Sequence, residues 1–226
     1  MQPCPLGMPR VGSGKCLPSS GIRLPEVTTA RPHDLLRVTG PAALPADAPA
    51  WATHALSGTP WVVVRRDRAP DGYLPVGVRG ASRSERYGTF VAAADVLGTA
   101  PPETLTAVPG RDLPAIQALR GLQSLLDDVG LAWGPTGSVG FELATGHPAA
   151  TSTSDLDLLV RISDLRCALP ALVSLDHAFS SVECRVDCQV ETPCGAAALT
   201  ELVDGRPQVM VRTPEGPRLV DRAAMP

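Results

Sequence analysis

Aromatic side chains are scarce in this sequence: Phe, Trp and Tyr together make up 4% of its 226 residues. Proteins that bind single-stranded nucleic acid stack the bases on a series of exposed aromatic rings, so this composition argues against such a function. The formal net charge of −3 is too small to indicate an electrostatic footprint for a nucleic-acid duplex. We therefore expect no nucleic-acid partner.

Long apolar runs and paired cysteine motifs are also missing. No stretch reaches the roughly 20 apolar residues that cross a bilayer, so we expect no membrane partner. The six cysteines show no C-x-x-C spacing, which argues against a zinc site. The first ten residues carry three prolines and no apolar core, unlike a secretory signal. We expect a reduced, cytoplasmic protein.

Lysine is almost absent, since Lys15 is the single example in the chain. Arginine is therefore nearly the only cation, and it binds phosphate through a planar fork of donors. Residues 1–110 hold 11 Lys and Arg against 8 Asp and Glu, whereas residues 111–226 hold 9 against 15. A mildly basic half beside an acidic half suits a ligand that carries several phosphates and metal ions.

Proline and glycine are abundant, with 24 and 21 residues, and predict short elements joined by frequent turns. Residues 1–30 lack apolar periodicity and predict a flexible N-terminal tail. Residues 98–110, GTAPPETLTAVPG, are typical of a linker. We therefore expect a smaller α+β domain over residues 31–108, which binds substrate or partner, and a main domain over residues 109–226.

Apolar periodicity predicts the elements of both halves. The expected strands are residues 61–66, 74–79, 154–161, 182–191 and, as the last strand, 208–213. The expected helices are residues 112–130, 163–175 and 196–203. Residues 131–146 predict a strand, a tight turn and a short helix. Strands interleaved with helices indicate an α+β or α/β fold around a sheet.

Three arginines, Arg79, Arg83 and Arg86, follow one another at spacings of four and three residues. If this segment is helical, their guanidinium groups share one face of the helix. The alternative interpretation is a solvated stripe on the surface.

The residues that indicate chemistry are Gly137-Ser138 and the pair Asp155 and Asp157. Strand side chains alternate between faces, so the two carboxylates point the same way and can chelate a hard cation such as Mg²⁺. Gly137 and Ser138 fall where a strand turns into a helix, whose first N–H groups can cradle a phosphate. This order of elements suits metal-assisted phosphoryl transfer.

A third carboxylate is expected from the strand over residues 182–191. Asp187 is our candidate, as a metal ligand or as a general base, and Glu191 on the same face is the alternative. His147, in the loop before the acidic strand, is a further candidate, although a solvent-exposed position explains it equally. We interpret His33 as a structural turn or an interdomain contact.

The string GPTGSVGFELATG…SDLDLLV resembles the active-site signature of the nucleotidyltransferase superfamily that includes DNA polymerase β. With RPHDLL and LPVGVRG upstream and ETPCGAAALTE downstream, the chain is similar to the phosphoribosyl-dephospho-CoA transferases, also named malonate decarboxylase holo-[acyl-carrier-protein] synthases. The resemblance covers residues 31–226. It implies a C-terminal polymerase-β-like nucleotidyltransferase domain with a mixed sheet flanked by helices.

The resemblance also implies an activity. This family moves the phosphoribosyl-dephospho-CoA part of 2′-(5″-triphosphoribosyl)-3′-dephospho-CoA onto a serine of the apo acyl-carrier subunit of malonate decarboxylase, and diphosphate leaves. Gly137 and Ser138 would then hold the triphosphate, and the arginines would bind substrate phosphates or the acidic carrier. The catalytic and Mg²⁺-binding residues would be Asp155, Asp157 and Asp187. The alternative is another Mg²⁺-dependent nucleotidyltransferase that modifies a small molecule or a different protein.

Overall fold

The computed structural model of the protein describes residues 30–82, 84–106 and 111–226. The tail expected over residues 1–30 therefore lies, except for Ala30, outside the described residues, as does Arg83. Within the described part, the chain forms two β-sheets with helices packed against them. The expectation of an α+β fold is confirmed, with one sheet in each half of the chain.

The first sheet has five antiparallel strands in the order β4-β3-β2-β1-β5. Its strands are β1 (Leu35–Val38), β2 (Trp61–Val64), β3 (Tyr73–Arg79), β4 (Arg86–Ala92) and β5 (Val96–Ala100). Helix α1 (Ala50–Gly58) packs on one face. The β-branched Val62, Val64, Val76 and Val78 alternate with less buried residues and fill that face, which leaves the other face of the sheet free to line a site.

The second sheet has six strands in the order β11-β10-β9-β8-β7-β6. The strands are β6 (Ala132–Pro135), β7 (Leu156–Arg161), β8 (Val186–Thr192), β9 (Gly195–Ala198), β10 (Gln208–Thr213) and β11 (Gly216–Asp221). Its helices are α2 (Pro114–Asp128), α3 (Gly137–Thr145), α4 (Leu165–Phe179) and α5 (Leu199–Val203). Strands β7 and β8 are parallel and the other neighbours are antiparallel, so the sheet is mixed as expected.

The core of this half lies between the sheet and its long helices. Helix α2 buries the apolar stripe that the sequence predicted, with Ile116 and Leu119 fully buried. Helix α4 makes the crossover between the parallel strands β7 and β8. On β7, Leu156 and Leu158 are buried against these helices, which turns the intervening Asp157 toward the opposite face.

The segment that carries Arg79 and Arg86 is a hairpin, so the condition that it is helical is not met, whereas the strand expected over residues 74–79 is present. Strands β3 and β4 pair from Tyr73↔Ala92 to Arg79↔Arg86, so these two arginines lie directly opposite each other on neighbouring strands. The alternation of buried Val76 and Val78 continues the strand up to Arg79, and the polar residues after it form the turn.

Three further expectations differ from the structure. Residues 196–203 begin as β9 and become helical at Leu199, because β9 completes a short hairpin with β8. The chain continues after β10 into a further strand, β11, joined by the tight turn before Gly216. Residues 98–100 belong to β5 rather than to a linker, since they pair with β1.

Side chains from both sheets meet between them. Arg161, at the end of β7, donates hydrogen bonds to Glu103 and Asp34, and Arg66 forms a two-bond ion pair with Glu191 at the end of β8. The strands of the first sheet lie within residues 35–100 and those of the second within residues 132–221, so these contacts join the two halves of the chain. A cavity also lies between the two sheets.

Candidate active site

A cavity of about 850 Å³ lies between the two sheets. This volume is in the range of sites that enclose a small organic ligand. Both halves of the chain line it. The first sheet contributes Leu35, Val63, Arg65, Gly77, Arg79, Arg86 and Gly88, and the second half contributes Thr136, Gly137, Phe141, Asp157, Asp187 and Gln189.

The amino-terminal end of α3 forms one wall of the cavity. Strand β6 ends at Pro135, Thr136 is extended, and Gly137 begins the helix in the left-handed region with a φ of +59°. Gly137 is required for a second reason, since an added Cβ would overlap Oδ2 of Asp157. The first N–H groups of the helix and the Asp157 carboxylate therefore lie beside each other at the cavity wall.

Asp157 and Asp187 face each other across the parallel strands. The register pairs Asp157 of β7 directly with Asp187 of β8, and both line the cavity. The buried residues on either side of them, Leu156 and Leu158 on β7 and Cys188 on β8, point to the core. Strand alternation and parallel pairing thus place two carboxylates side by side on the face that looks into the cavity.

Asp155 has a different environment. It precedes the first residue of β7, and its carboxylate lies 4.0 Å from the guanidinium of Arg185. It is not among the residues that line the cavity. Across residues 30–82, 84–106 and 111–226, no three His, Cys, Asp or Glu side chains form a ready-made metal cluster. Asp157 and Asp187 fit a Mg²⁺ ion that takes its other oxygens from water and substrate phosphates.

Arg79 and Arg86 bring positive charge from the first sheet to the acidic edge. Arg79 donates a hydrogen bond of 3.1 Å to the carbonyl of Ala149, and its guanidinium lies 6.0 Å from the ring centre of Phe141. Burial lowers the pKa of Arg79, the charge of Arg86 lowers it further, and Asp157 opposes this change. Arg79 and Asp157 therefore interact electrostatically across the cavity.

Three other predicted residues lie away from the open part of the site. Ser138 is buried in the first turn of α3, so only its backbone N–H is placed near the cavity wall. Glu191 is held by Arg66. His147 is exposed on the loop after α3.

His33, interpreted above as a structural turn or an interdomain contact, and Arg65 also line the cavity. His33 has a φ of 74°, which is rare for a residue with a side chain, and it hydrogen-bonds Gln189. Burial and the charge of Arg66 lower the pKa of His33. Arg65 lies across the neighbouring strands. Gln189 shares a strand face with Asp187, so strand alternation could have indicated that Gln189 also faces the cavity. Its contact with His33 joins the two halves of the chain, and local periodicity gives no signal of such contacts.

Among the described residues, no helix combines the length and the apolar character that crossing a membrane requires.

The two α+β units share a charged cavity, which is the candidate for an active or binding site. The chain matches the model of the phosphoribosyl-dephospho-CoA transferase C-terminal domain over residues 104–223 and that of the N-terminal domain over residues 31–102. The chain therefore belongs to the phosphoribosyl-dephospho-CoA transferase family, and it is a transferase.

Curated proteins with the same family name are similar to this chain over most of its length. A phosphoribosyl-dephospho-CoA transferase of Pseudomonas fluorescens strain Pf0-1 is 44% identical over 193 residues, which cover 82% of this chain and 90% of the relative. Enzymes of the same name from Pseudomonas aeruginosa and Azotobacter vinelandii are 43% and 40% identical, each over 84% of this chain and over 91% and 92% of the relative. No solved structure matches the chain significantly.

Proposed function

We propose that this enzyme transfers the phosphoribosyl-dephospho-CoA group of 2′-(5″-triphosphoribosyl)-3′-dephospho-CoA to a serine of the apo acyl-carrier subunit of malonate decarboxylase. The observation that carries the proposal is the register pairing of Asp157 with Asp187 at the wall of a cavity that Arg79 and Arg86 also line. Family membership supplies the donor, and the polymerase-β-like ancestry remains part of the proposal.

The charges in the cavity suit a triphosphate. Arg79 and Arg86 lie opposite each other on β3 and β4, so both guanidinium groups can contact neighbouring phosphates. The backbone N–H groups of Gly137 and Ser138, at the start of α3, would bind a phosphate oxygen. Together these groups hold the donor with its reacting phosphorus toward the carboxylates.

The carboxylates Asp155, Asp157 and Asp187 would hold Mg²⁺. When bound, this ion supplies Lewis-acid activation of the phosphoryl group and charge neutralisation of the leaving diphosphate. Asp157 and Asp187 provide the oxygens inside the cavity. Asp155, on the same side of the chain two residues earlier, would have to exchange Arg185 for the ion.

In the proposed transfer, one bond to the α-phosphorus forms and one bond to it breaks. The serine oxygen of the carrier forms a bond to the α-phosphorus, and the bond from that phosphorus to the bridging oxygen of the diphosphate breaks. The serine proton passes to the carboxylate of Asp187, which faces the cavity. The products are a phosphodiester on the carrier and free diphosphate.

We also propose a cytoplasmic location, where free thiols such as the four in the described residues are usual.

Intact-protein mass spectrometry tests this proposal. Apo carrier, donor, Mg²⁺ and enzyme should give a carrier heavier by one phosphoribosyl-dephospho-CoA group, with diphosphate released. Asp157→Asn and Asp187→Asn should each slow the reaction by at least about 100-fold. Asp128→Asn, which changes an exposed acid at the end of α2, is the matched control and should retain the rate.

The same assay separates the alternatives. Transfer of AMP from ATP to another acceptor, with no change in the carrier, would indicate a different nucleotidyltransferase. Full activity in both aspartate variants would show that these carboxylates are not the reacting pair.

A further inference from the structure

The face of the first sheet that lines the cavity has an unusual floor. Val63, Gly77 and Gly88 lie side by side on β2, β3 and β4, because the register pairs Val63 with Gly77 and Gly77 with Gly88. Two neighbouring glycines leave the backbone bare across two strands. The remaining side chain in this row, Val63, is apolar and reaches the cavity.

Arg65 lies flat on this floor. An added Cβ at Gly77 would lie 3.5 and 3.6 Å from Cδ and Cγ of Arg65. An added Cβ at Gly88 would overlap its Nη1 and lie 2.8 Å from its Cζ. The side chain therefore runs from β2 over β3, and its guanidinium rests on Gly88 of β4. Gly88 is needed for this position, whereas a Cβ at Gly77 would make ordinary van der Waals contact with Arg65. Arg65 also lines the cavity.

The charge of Arg65 already has a partner. Its Nη1 lies 3.7 Å from a carboxylate oxygen of Asp67, and both side chains are nearly half exposed. By contrast, Arg79 and Arg86, two residues further along the same strands, face the Asp157 side of the cavity. In the proposed function Arg79 and Arg86 bind the phosphates. Arg65 is not needed for that role, and it presents a planar guanidinium beside the apolar Val63.

The geometry points to the Gly77–Gly88 floor with Arg65 as the platform for a purine base, the adenine of the dephospho-CoA moiety. This inference rests on the proposed function. In the donor, one ribose separates the triphosphate from the adenosine, and two strand residues, about 7 Å, separate the Arg79–Arg86 pair from the glycine pair. An adenine ring stacked on the guanidinium would therefore leave the triphosphate at the arginine pair and the carboxylates.

Titration calorimetry on the full chain tests the platform with three probes: 3′-dephospho-CoA, 4′-phosphopantetheine, which lacks adenine, and inorganic tripolyphosphate. Arg65→Lys keeps the charge and removes the plane, so it should weaken 3′-dephospho-CoA binding by about tenfold. Binding of the other two probes should stay within about twofold. Gly88→Val, which displaces the guanidinium, should reproduce this pattern, and Arg37→Ala, an exposed arginine on β1, should change none of the three.

The outcomes distinguish the platform from the function. Unchanged 3′-dephospho-CoA binding in Arg65→Lys and Gly88→Val, with normal thermal unfolding, overturns the platform and leaves the proposed transfer intact. An equal loss of tripolyphosphate binding in Arg65→Lys also overturns it, because Arg65 would then be a phosphate ligand. Failure of the wild-type enzyme to bind 3′-dephospho-CoA would overturn the proposed donor and the platform together.

Discussion

Two features of the structure require glycine at position 137. Its φ of +59° is a conformation that residues with a Cβ rarely adopt, and the space where the Cβ would lie belongs to the carboxylate of Asp157. We expect Gly137→Ala to push Asp157 out of line with Asp187 and to lower the transfer rate by at least about 100-fold. Mass spectrometry of the carrier over time measures the rate.

The opposite end of the same helix provides the control. Gly146 ends α3 with a φ of +70°, and no atom lies within 4 Å of an added Cβ. Gly146→Ala should therefore cost about 1 kcal/mol of stability from the backbone alone and leave the transfer rate near that of the wild type. Equal rates in the two variants would mean that the contact between Gly137 and Asp157 has no part in catalysis.

At this scale the sequence predicted the strand faces of Asp157 and Asp187, whereas Asp155, expected beside Asp157, does not line the cavity. Alternation along each strand was sufficient to place Asp157 and Asp187 on polar faces, and the parallel pairing then brought them together. The roles of Arg65 and His33 depend on residues of other strands and of the other sheet. Contacts of that kind depend on register and on packing between sheets, which periodicity does not contain.

At the scale of elements, α3 fixes the loop that follows it. Glu142, on the helix, accepts hydrogen bonds from the guanidinium of Arg111 and from the backbone N–H groups of Ala149 and Ala150. The carbonyl of Ala149 in turn accepts from Arg79 of β3. One carboxylate therefore supports the loop on which a cavity arginine rests.

This arrangement predicts a pH dependence of stability. The hydrogen bonds from Arg111, with those from the loop backbone, lower the pKa of Glu142 from 4.5 to about 2. The unfolded chain thus takes up this proton more readily than the folded one, so the stabilisation is present above pH 4.5 and is lost as the pH falls toward 2. Since Arg111 is half exposed, we expect a contribution of about 1–2 kcal/mol.

Urea unfolding of the wild type and of Glu142→Gln across this pH window measures the contribution. The wild type should lose more free energy of unfolding than the variant as the pH falls, and the two curves should converge at the acid end. Parallel curves would show that the Glu142 carboxylate does not stabilise the folded state through its charge.

The hairpin of β3 and β4 shows that the spacing of a few residues is not sufficient to predict secondary structure. Spacings of four and three residues between Arg79, Arg83 and Arg86 are compatible with a helix, whereas the buried valines that precede them continue a strand. The strand prevails because β3 pairs on both sides, with β2 and β4. The long apolar stripe of α2 and the strand-turn-helix at Gly137 had no competing pattern, and both were predicted correctly.

At the scale of the whole molecule, the two sheets are joined at the ends of the strands that carry the carboxylates. Arg161 and Glu191 are register partners at the last paired positions of β7 and β8. Each is bound by residues of the first half, Arg161 by Asp34 and Glu103 and Glu191 by Arg66. These ion pairs therefore link the first half of the chain to the strands that carry the carboxylates.

We expect Glu191→Gln to destabilise the protein by about 3 kcal/mol, because it leaves Arg66, only 14% exposed, without its opposite charge. Glu215→Gln removes an ion pair with Arg68 whose side chains are 56% and 78% exposed, and it should destabilise the protein far less, because solvent screens an exposed pair. Urea unfolding measures both losses, and hydrogen exchange of β1 and β2 shows whether the first sheet loosens before the second.

A double variant decides whether the loss comes from an isolated charge or from the pair itself. Replacing both partners, Arg66→Met with Glu191→Leu, removes the uncompensated guanidinium and keeps side chains of similar length between the sheets. Because the desolvation of two charges offsets much of their attraction, this variant should regain most of the stability that Glu191→Gln loses. If the double variant is as unstable as the single one, the ion pair holds the sheets together by its own attraction.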